Sequence, residues 1–462
     1  MTDQPATSKL FSARWVLPIS SEPIDHGAIL VRDDLILEVG TQRDIASRFP
    51  DADKQELGDA VIIPGLINTH SHLELTVMRG FLDAEDTNFF AWLKKLTRAR
   101  LERLTGDDLY VSASWGACEA ARAGVTCVGD ASDSALLSMT ALREAGLRGI
   151  VYQESFGPDP KLATENFDEL KTKVTALREL ETPLVTPGVS PHAPYTVSAP
   201  QLEMISDFVL SEKLPLMMHV AESQAEQLLV REGRGSFADG YAARGIKWSA
   251  PGTSSLQYLA AHGILRTKPL LAHCITVDDA DIQTIKESGA GIAHCPKSNA
   301  KLGHGRAPFE KFLQAGIPVG LGSDSVASNN ICDILEEARF AALCARAQDP
   351  GSADKISATD VLRAATQGGA LAMGLADRVG VLEPGKQADF AAFALTGVHQ
   401  RPAYDPYSAL VFSSSARDAI LTVVAGKEIY RHGRMTAVDE ERLSARMDEI
   451  ARKLDSRQPP GV

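Results

Sequence analysis

The chain has 462 residues, 44 % hydrophobic and 23 % charged, with 47 Lys and Arg against 60 Asp and Glu for a formal charge of −13. This composition excludes disordered and fibrous classes, and the lack of clustered positive charge argues against a nucleic-acid binder. The length accommodates about three domains of roughly 150 residues each, or one (β/α)8 barrel with an accessory module.

The first ten residues, MTDQPATSKL, carry neither the basic nor the apolar stretch of a secretory signal. No run reaches the roughly 18 apolar residues of a membrane span. Six cysteines are present, none in a C-x-x-C pair, so redox motifs and zinc ribbons are not expected. Free thiols suit a reducing compartment, and the expected location is the cytoplasm. Residues 14–17, 28–31 and 35–39 read as short strands separated by turns. From about 64 to 376, short apolar runs alternate with helical periods. Candidate strands lie at 126–128, 150–152, 184–186, 216–218, 270–272, 291–293 and 319–321. Candidate helices lie at 107–123, 164–180, 200–211 and 279–288, the last preceded by capping side chains at 276–278. Alternation of this kind predicts an α/β protein with a parallel sheet, and about eight units predict a closed TIM barrel. Strand patterns return at 390–393 and 420–424, so the two chain ends are expected to build one small β-sandwich domain. The expected division is 1–63 for its first part, 64–376 for the barrel, 377–437 for its second part, and 438–462 for a C-terminal helix (442–453) and a frayed polar tail.

Histidine placement carries the chemistry. His70 and His72 form an H-x-H pair, which on a strand points both imidazoles to one face at metal-ligand spacing. Read alone, the pair also suits two polar residues on an exposed face. His219 follows the apolar run Leu216-Met217-Met218, with Glu222 three residues on. His273 ends Leu270-Leu271-Ala272, and Asp324 ends the run that starts at Val319. A single histidine after a strand is commonly a satisfied polar residue. Four strand ends each bearing His or Asp instead match the place where barrel enzymes keep their catalytic groups.

These motifs resemble the amidohydrolase superfamily, in its branch of aromatic-base deaminases and chlorohydrolases. The resemblance spans nearly the whole chain: residues 64–72, Ser190-Pro191-His192-Ala193-Pro194-Tyr195, His219 to Glu222, Ala272-His273-Cys274, His294-Cys295-Pro296-Lys297-Ser298-Asn299, Gly322-Ser323-Asp324, and 380–389. Within that branch the chain is most similar to deaminases of adenosine-type compounds such as S-adenosylhomocysteine and 5′-methylthioadenosine. The resemblance implies one divalent metal, Zn2+ with Fe2+ as the alternative, held by His70, His72, His219 and Asp324. It implies that Asp324 takes a proton from the attacking water, that His273 steadies the developing charge, and that Glu222 protonates the ring nitrogen and then the leaving amine. His192 matches a substrate-contacting histidine. Ser298 and Asn299 would shape the site, and His304 would sit in a loop at the substrate.

In the adenosine-type group an acid shortly before a Trp-Leu pair holds ribose. The matching stretch, Asn88-Phe89-Phe90-Ala91-Trp92-Leu93, has no acid beside Trp92. Glu74, or an acid among Asp83, Glu85 and Asp86, is the expected substitute. Phe89 and Phe90 read as the apolar face of a helix, and Trp92 as a substrate contact. The expected reaction is hydrolytic removal of an adenine 6-amino group from a nucleoside of the S-adenosylhomocysteine, methylthioadenosine, adenosine or aminodeoxyfutalosine type. The alternatives are deamination or dechlorination of another heteroaromatic (an s-triazine, guanine or a pyrimidine), or a non-catalytic barrel, against which the intact Glu222, His273 and ligand set argue. The expected partners are a small-molecule substrate and further copies of the chain, as this family often assembles, with no nucleic acid and no membrane. Residues 380–386 fit G-x-x-x-x-G-K, but Gln387 replaces the hydroxyl residue and Pro384 spoils the helix start, so a turn is expected. H-E-x-x-H, and H-x-E with P-C-x-x-C, are absent, and nothing activates Cys295.

Overall fold

The computed structural model describes residues 8–348 and 356–455. The first seven residues of the stretch examined for a signal, and the tail after Asp455 expected to fray, lie outside it. The N-terminal part contributes β1 (Lys9–Val16), β2 (Ile24–Arg32), β3 (Leu35–Thr41), β4 (Asp53–Glu56) and β5 (Ala60–Pro64). The middle contributes eight strands: β6 (Leu66–Ser71), β7 (Val125–Ser132), β8 (Arg148–Ser155), β9 (Val185–Pro191), β10 (Met217–Val220), β11 (Leu270–His273), β12 (Gly291–His294) and β13 (Val319–Leu321). Four more follow: β14 (Phe390–Ala394), β15 (Ala419–Val424), β16 (Lys427–Arg431) and β17 (Arg434–Met435).

The eight middle strands form two four-stranded parallel sheets, β6 to β9 and β10 to β13, each in sequence order. Single parallel bridges join them at both seams, Val189 to Leu216 and Ser71 to Asp324. Both faces of these strands are buried, as parallel strands covered by helices require. Alternate residues go to different cores. Cys127, Ile150, Tyr152, Met217, Leu270, Ala272 and Ala293 share one interior cluster with Ile67. Their neighbours Val128, Val151, Met218, Leu271 and Ile292 pack outward in the main core with the helices. Side chains from both four-stranded sheets therefore meet in one interior.

The connecting helices follow local signals. Helix Gly106–Arg122 starts at a Thr105–Asp108 capping box, and helix Asp279–Ser288 at an Asp278–Asp281 box, ending at Gly289 in the left-handed region. The closing helix is Glu440–Leu454. Its neighbour at the site, helix Phe89–Arg103, is capped by Asn88.

The module expected as a sandwich is hydrogen-bonded as a single nine-stranded mixed sheet, in the order β17-β16-β15-β14-β5-β1-β2-β3, with β4 beside β1. β5 makes this continuous: it runs parallel to β1 and antiparallel to β14. The β15–β16 hairpin turns at Ala425 and Gly426, both with positive φ, and a Cβ on Gly426 would strike the Asp33 carbonyl. The sheet is tied to the parallel strands through a buried ion pair. Arg148, at the start of β8, donates from Nε to Asp389 at 2.8 Å and from a terminal nitrogen at 3.1 Å, and both side chains are almost fully buried. Asp389 also accepts from the Ala425 amide.

Removing one partner leaves the other charge buried. Arg148→Met is therefore expected to cost about 3–5 kcal/mol, while Arg148→Met with Asp389→Leu recovers most of it. Urea midpoints measure this, and a single variant at wild-type stability would contradict it.

Candidate active site

Because the middle strands are parallel, their C-terminal ends open on one side, and the polar residues singled out in the sequence gather there. His70 lies in β6 and His72 one residue beyond its end; His219 lies in β10 and His273 ends β11. Glu222 and Asp324 follow β10 and β13. Ala221, His273 and Asp324 have φ of 53°, 71° and 56°. Non-glycine residues are rarely left-handed, and such backbone concentrates at functional sites. Here the kink turns each chain off its strand so that the polar side chain faces the opening. Gly322 allows the approach of β13 to β6: a Cβ there would lie 2.9 Å from His70 Cβ and from Cys295 Sγ.

Four donors converge. His72 Nε2 is 3.3 Å from His219 Nε2 and 3.6 Å from Asp324 Oδ1, and His70 Nε2 is 3.3 Å from the same oxygen. His219 gives its Nδ1 proton to the His192 carbonyl at 2.9 Å, which leaves Nε2 as a lone-pair donor. Burial and the neighbouring imidazoles push His72 down to about 3 and His219 well below its usual range, so both rings are neutral. Burial works against ionised Asp324, but the neighbouring imidazoles of His70, His273 and His72 hold it well below the carboxylate range. His70 Nε2 is buried with no hydrogen-bond partner. The ligand atoms of His70, His72 and His219 lie within 4.8 Å of one another, as do those of His70, His273 and Asp324, and imidazoles and a carboxylate grouped in this way, with an orphaned ring nitrogen among them, fit a divalent cation.

Asp324 is positioned through its other contacts. Ser298 and Ser328 donate to Oδ2 at 2.5 and 3.0 Å, and the Ser325 amide donates to Oδ1 at 2.7 Å. Asn68 clamps the preceding residue, accepting from the Ser323 amide and donating to its hydroxyl. Asn299 Oδ1 accepts from His273 Nδ1 at 2.9 Å, turning Nε2 toward Glu222, 3.8 Å away. Burial depresses His273, yet the carboxylates of Glu222 and Asp324 outweigh it and raise the group. Ser298 and Asn299 thus meet Asp324 and His273, while neither borders the cavity at these strand ends.

That cavity, of about 470 Å3, is bordered by His72, His192, His219, Glu222, His273, Asp324 and Trp92. The Tyr195 hydroxyl donates to Glu222 Oε2 at 3.3 Å, and His304 Nε2 lies 3.7 Å from Oε1. His304 meets the ring of Phe89 edge-on, and Phe237 stacks on Tyr195. His192 Nδ1 is bonded to Thr196 Oγ1 at 2.9 Å. Glu74 also borders the cavity, but Arg100 and the amides of Asp133 and Ser134 occupy its oxygens. Asp83 and Glu85 lie away from it, paired with Lys301 and Lys95.

Four contributors escaped the sequence reading. Tyr195 lies inside a motif already singled out. Asp130 accepts from the Leu73 amide and the Ser71 hydroxyl, fixing the chain on both sides of His72, and burial pushes it up to about 7. Glu154 borders the cavity beside His72 and His192. Glu226 accepts from the amides of Ala221 (2.7 Å) and Glu222 (3.1 Å), holding the left-handed turn. The last had a signal: Ser223 and Glu226 have the S-x-x-E spacing of a helix start.

The sequence matches the model of the amidohydrolase family over residues 61–429, and that of a bacterial imidazolonepropionase-like composite domain over 27–52. A 5-methylthioadenosine/S-adenosylhomocysteine deaminase of Pelotomaculum thermopropionicum is 32 % identical over 432 residues, covering 94 % of this chain and 95 % of that one. Among solved structures, an adenosine deaminase from Xanthomonas campestris with bound zinc is 26 % identical with a TM-score of 0.84, over 97 % of this chain and 98 % of that one. An aminofutalosine deaminase of Helicobacter pylori shares the fold at 22 % identity and a TM-score of 0.77, over 91 % of this chain and all of that one.

Glu226→Ala removes the acceptor of two buried amides. It is expected to cost about 1–3 kcal/mol per orphaned group, with Glu226→Gln intermediate. Unfolding midpoints decide, and an unchanged midpoint for the alanine variant would refute the clamp.

Proposed function

Because the chain belongs to the amidohydrolase family, we propose that it is a divalent-metal-dependent aminohydrolase of adenine-containing nucleosides. Water replaces the 6-amino group, leaving a ring carbonyl and ammonia. The observation that carries this reading is Glu222, bonded to Tyr195 and flanked by His273 and His304, at the edge of the cavity into which the four-donor cluster opens.

In this reading His70, His72, His219 and Asp324 hold one ion, and their donor set suits Zn2+, with Fe2+ as the alternative. When bound, such an ion supplies a water whose pKa falls from 15.7 to roughly 7. Asp324, anchored by Ser298 and Ser328, takes the proton of the attacking water. His273, fixed by Asn299, steadies the charge that develops on its oxygen. Glu222 delivers a proton to the ring nitrogen beside the attacked carbon, since an aromatic amidine is a poor electrophile until protonated; it then takes the proton that the added hydroxyl releases as the ring carbonyl forms, passes it to the leaving amine, and is restored by the proton held on Asp324. Trp92 and His192 are read as walls for the purine, with His304 beside Glu222. Glu74 acts at the cavity through the groups already bound to it.

The seam bridges and the shared interior cluster support one closed (β/α)8 barrel over 64–376, with 1–63 and 377–437 forming the small β module and 438–462 the C-terminal helix and tail. No described helix is long and apolar enough to cross a membrane, and all six cysteines are free. These support a cytoplasmic enzyme, which we read as a homo-oligomer.

Ammonia release and loss of adenine absorbance with adenosine, S-adenosylhomocysteine, methylthioadenosine and aminodeoxyfutalosine test the reading. Chloride release from an s-triazine, with every adenine compound inert, would overturn it. Glu222→Gln is expected to lower kcat by about 10²–10⁴-fold with one metal per chain retained, whereas His72→Ala loses the metal. Metal analysis of the two proteins separates these roles, and a metal-free Glu222→Gln protein would place Glu222 among the ligands.

A further inference from the structure

The scheme above gives Glu154 no task. It stands one residue from the end of β8, 6 % exposed, and borders the cavity. Its Oε1 is buried with no hydrogen-bond partner among the described residues. The nitrogens it faces, His72 Nδ1 and His192 Nε2, are both 4.0 Å away, beyond hydrogen-bonding range.

Its acidic neighbours are already matched. Glu74 takes two N–H donors from Arg100, at 3.2 and 3.3 Å. Asp133 pairs with Arg100 at 3.0 Å and with Lys173 at 3.1 Å. Both cations on this wall are therefore in use, and Glu154 is left without a donor. A buried carboxyl in that condition weakens the fold unless a ligand brings the donors.

We propose that Glu154 accepts hydrogen bonds from the sugar hydroxyls of the substrate and thereby sets its preference for ribonucleosides; this rests on the adenine-nucleoside reading above. Adenine nucleosides share donors in only two places, the 6-amino group and the sugar hydroxyls. The amino group belongs with Glu222, which faces His273 and His304. Glu154 faces a different flank, toward His72 and His192, where the ring of Phe156 covers the His192 imidazole at 4.8 Å. The acids nearer Trp92 do not compete for this role. Glu74 is saturated, and Asp83 and Glu85 lie outside the cavity in ion pairs of their own.

Deamination of adenosine and of 2′,3′-dideoxyadenosine, by metal-loaded wild type, Glu154→Gln and Glu154→Ala, tests the proposal, with metal content measured for each protein. The wild type is expected to lose about 10–100-fold in kcat/KM on the dideoxy compound, as when a buried polar group is left without its hydrogen-bond partner. Both variants are expected to bring the two substrates together while keeping the metal. Equal wild-type rates on the two nucleosides overturn the proposal without reference to any variant. So do variants that slow both substrates by one factor, or that lose the metal, which would make Glu154 a support for His72. A wild type inert on every adenine nucleoside overturns the deaminase reading itself, and this inference with it.

Discussion

A carboxylate removed from water has to be matched, and the site is organised around how Asp324 is matched. One oxygen is filled by the hydroxyls of Ser298 and Ser328, while the other takes one amide and faces His70 and His72. The Asp324 amide, in turn, donates to the His70 carbonyl. One residue thus joins the end of the last parallel strand to the first and leaves a negative charge half-compensated between two imidazoles. A cation completes that arrangement at little cost in reorganisation, because every contact around it is already in place.

The site divides its work by flank. Glu222, His273, Tyr195 and His304 gather on the flank to which the proposed reaction assigns its proton transfers, each held by a neighbour rather than by solvent. His192 serves the other side and the cluster together, since its carbonyl accepts both the amide and the Nδ1 proton of His219. Displacing the 192 backbone would therefore disturb the tautomer of His219 as well as the cavity wall. The positive φ at Ala221, His273 and Asp324 belongs to the same pattern. Strain at the strand ends is sustained by buried clamps such as Glu226.

The parallel strands were legible because buried apolar runs with helical spacers leave a local trace, and the four-donor set because His and Asp interrupt those runs at their ends. Positions such as 150–152 and 270–272 lie inside the strands observed. The supporting residues left no such trace. Asp130 acts on residues 57 and 59 positions away, and Arg148 on one 241 positions away, so only the assembled chain brings them together. Glu154 stayed hidden for a related reason: its environment, not its neighbours in sequence, marks it. The single-sheet character of the small module depends on β5, a short segment whose pairing with β1 and β14 no local pattern announces.

The pairing of β5 with β14 also bears on the order in which the protein can be made. β5 runs through Gly65 directly into the strand that carries His70, and the Gly65 amide is bonded to the Asp389 carbonyl. The partner of this N-terminal segment is thus synthesised more than three hundred residues later. Until residue 394 has left the ribosome, the strand leading into His70 has an open edge. The strand that enters His70 has its earlier partner, β1, from the start, but its other edge is covered only by a segment near the end of the chain. The nascent protein spends that interval with an exposed strand edge, the kind of transient surface that makes incomplete folds prone to association.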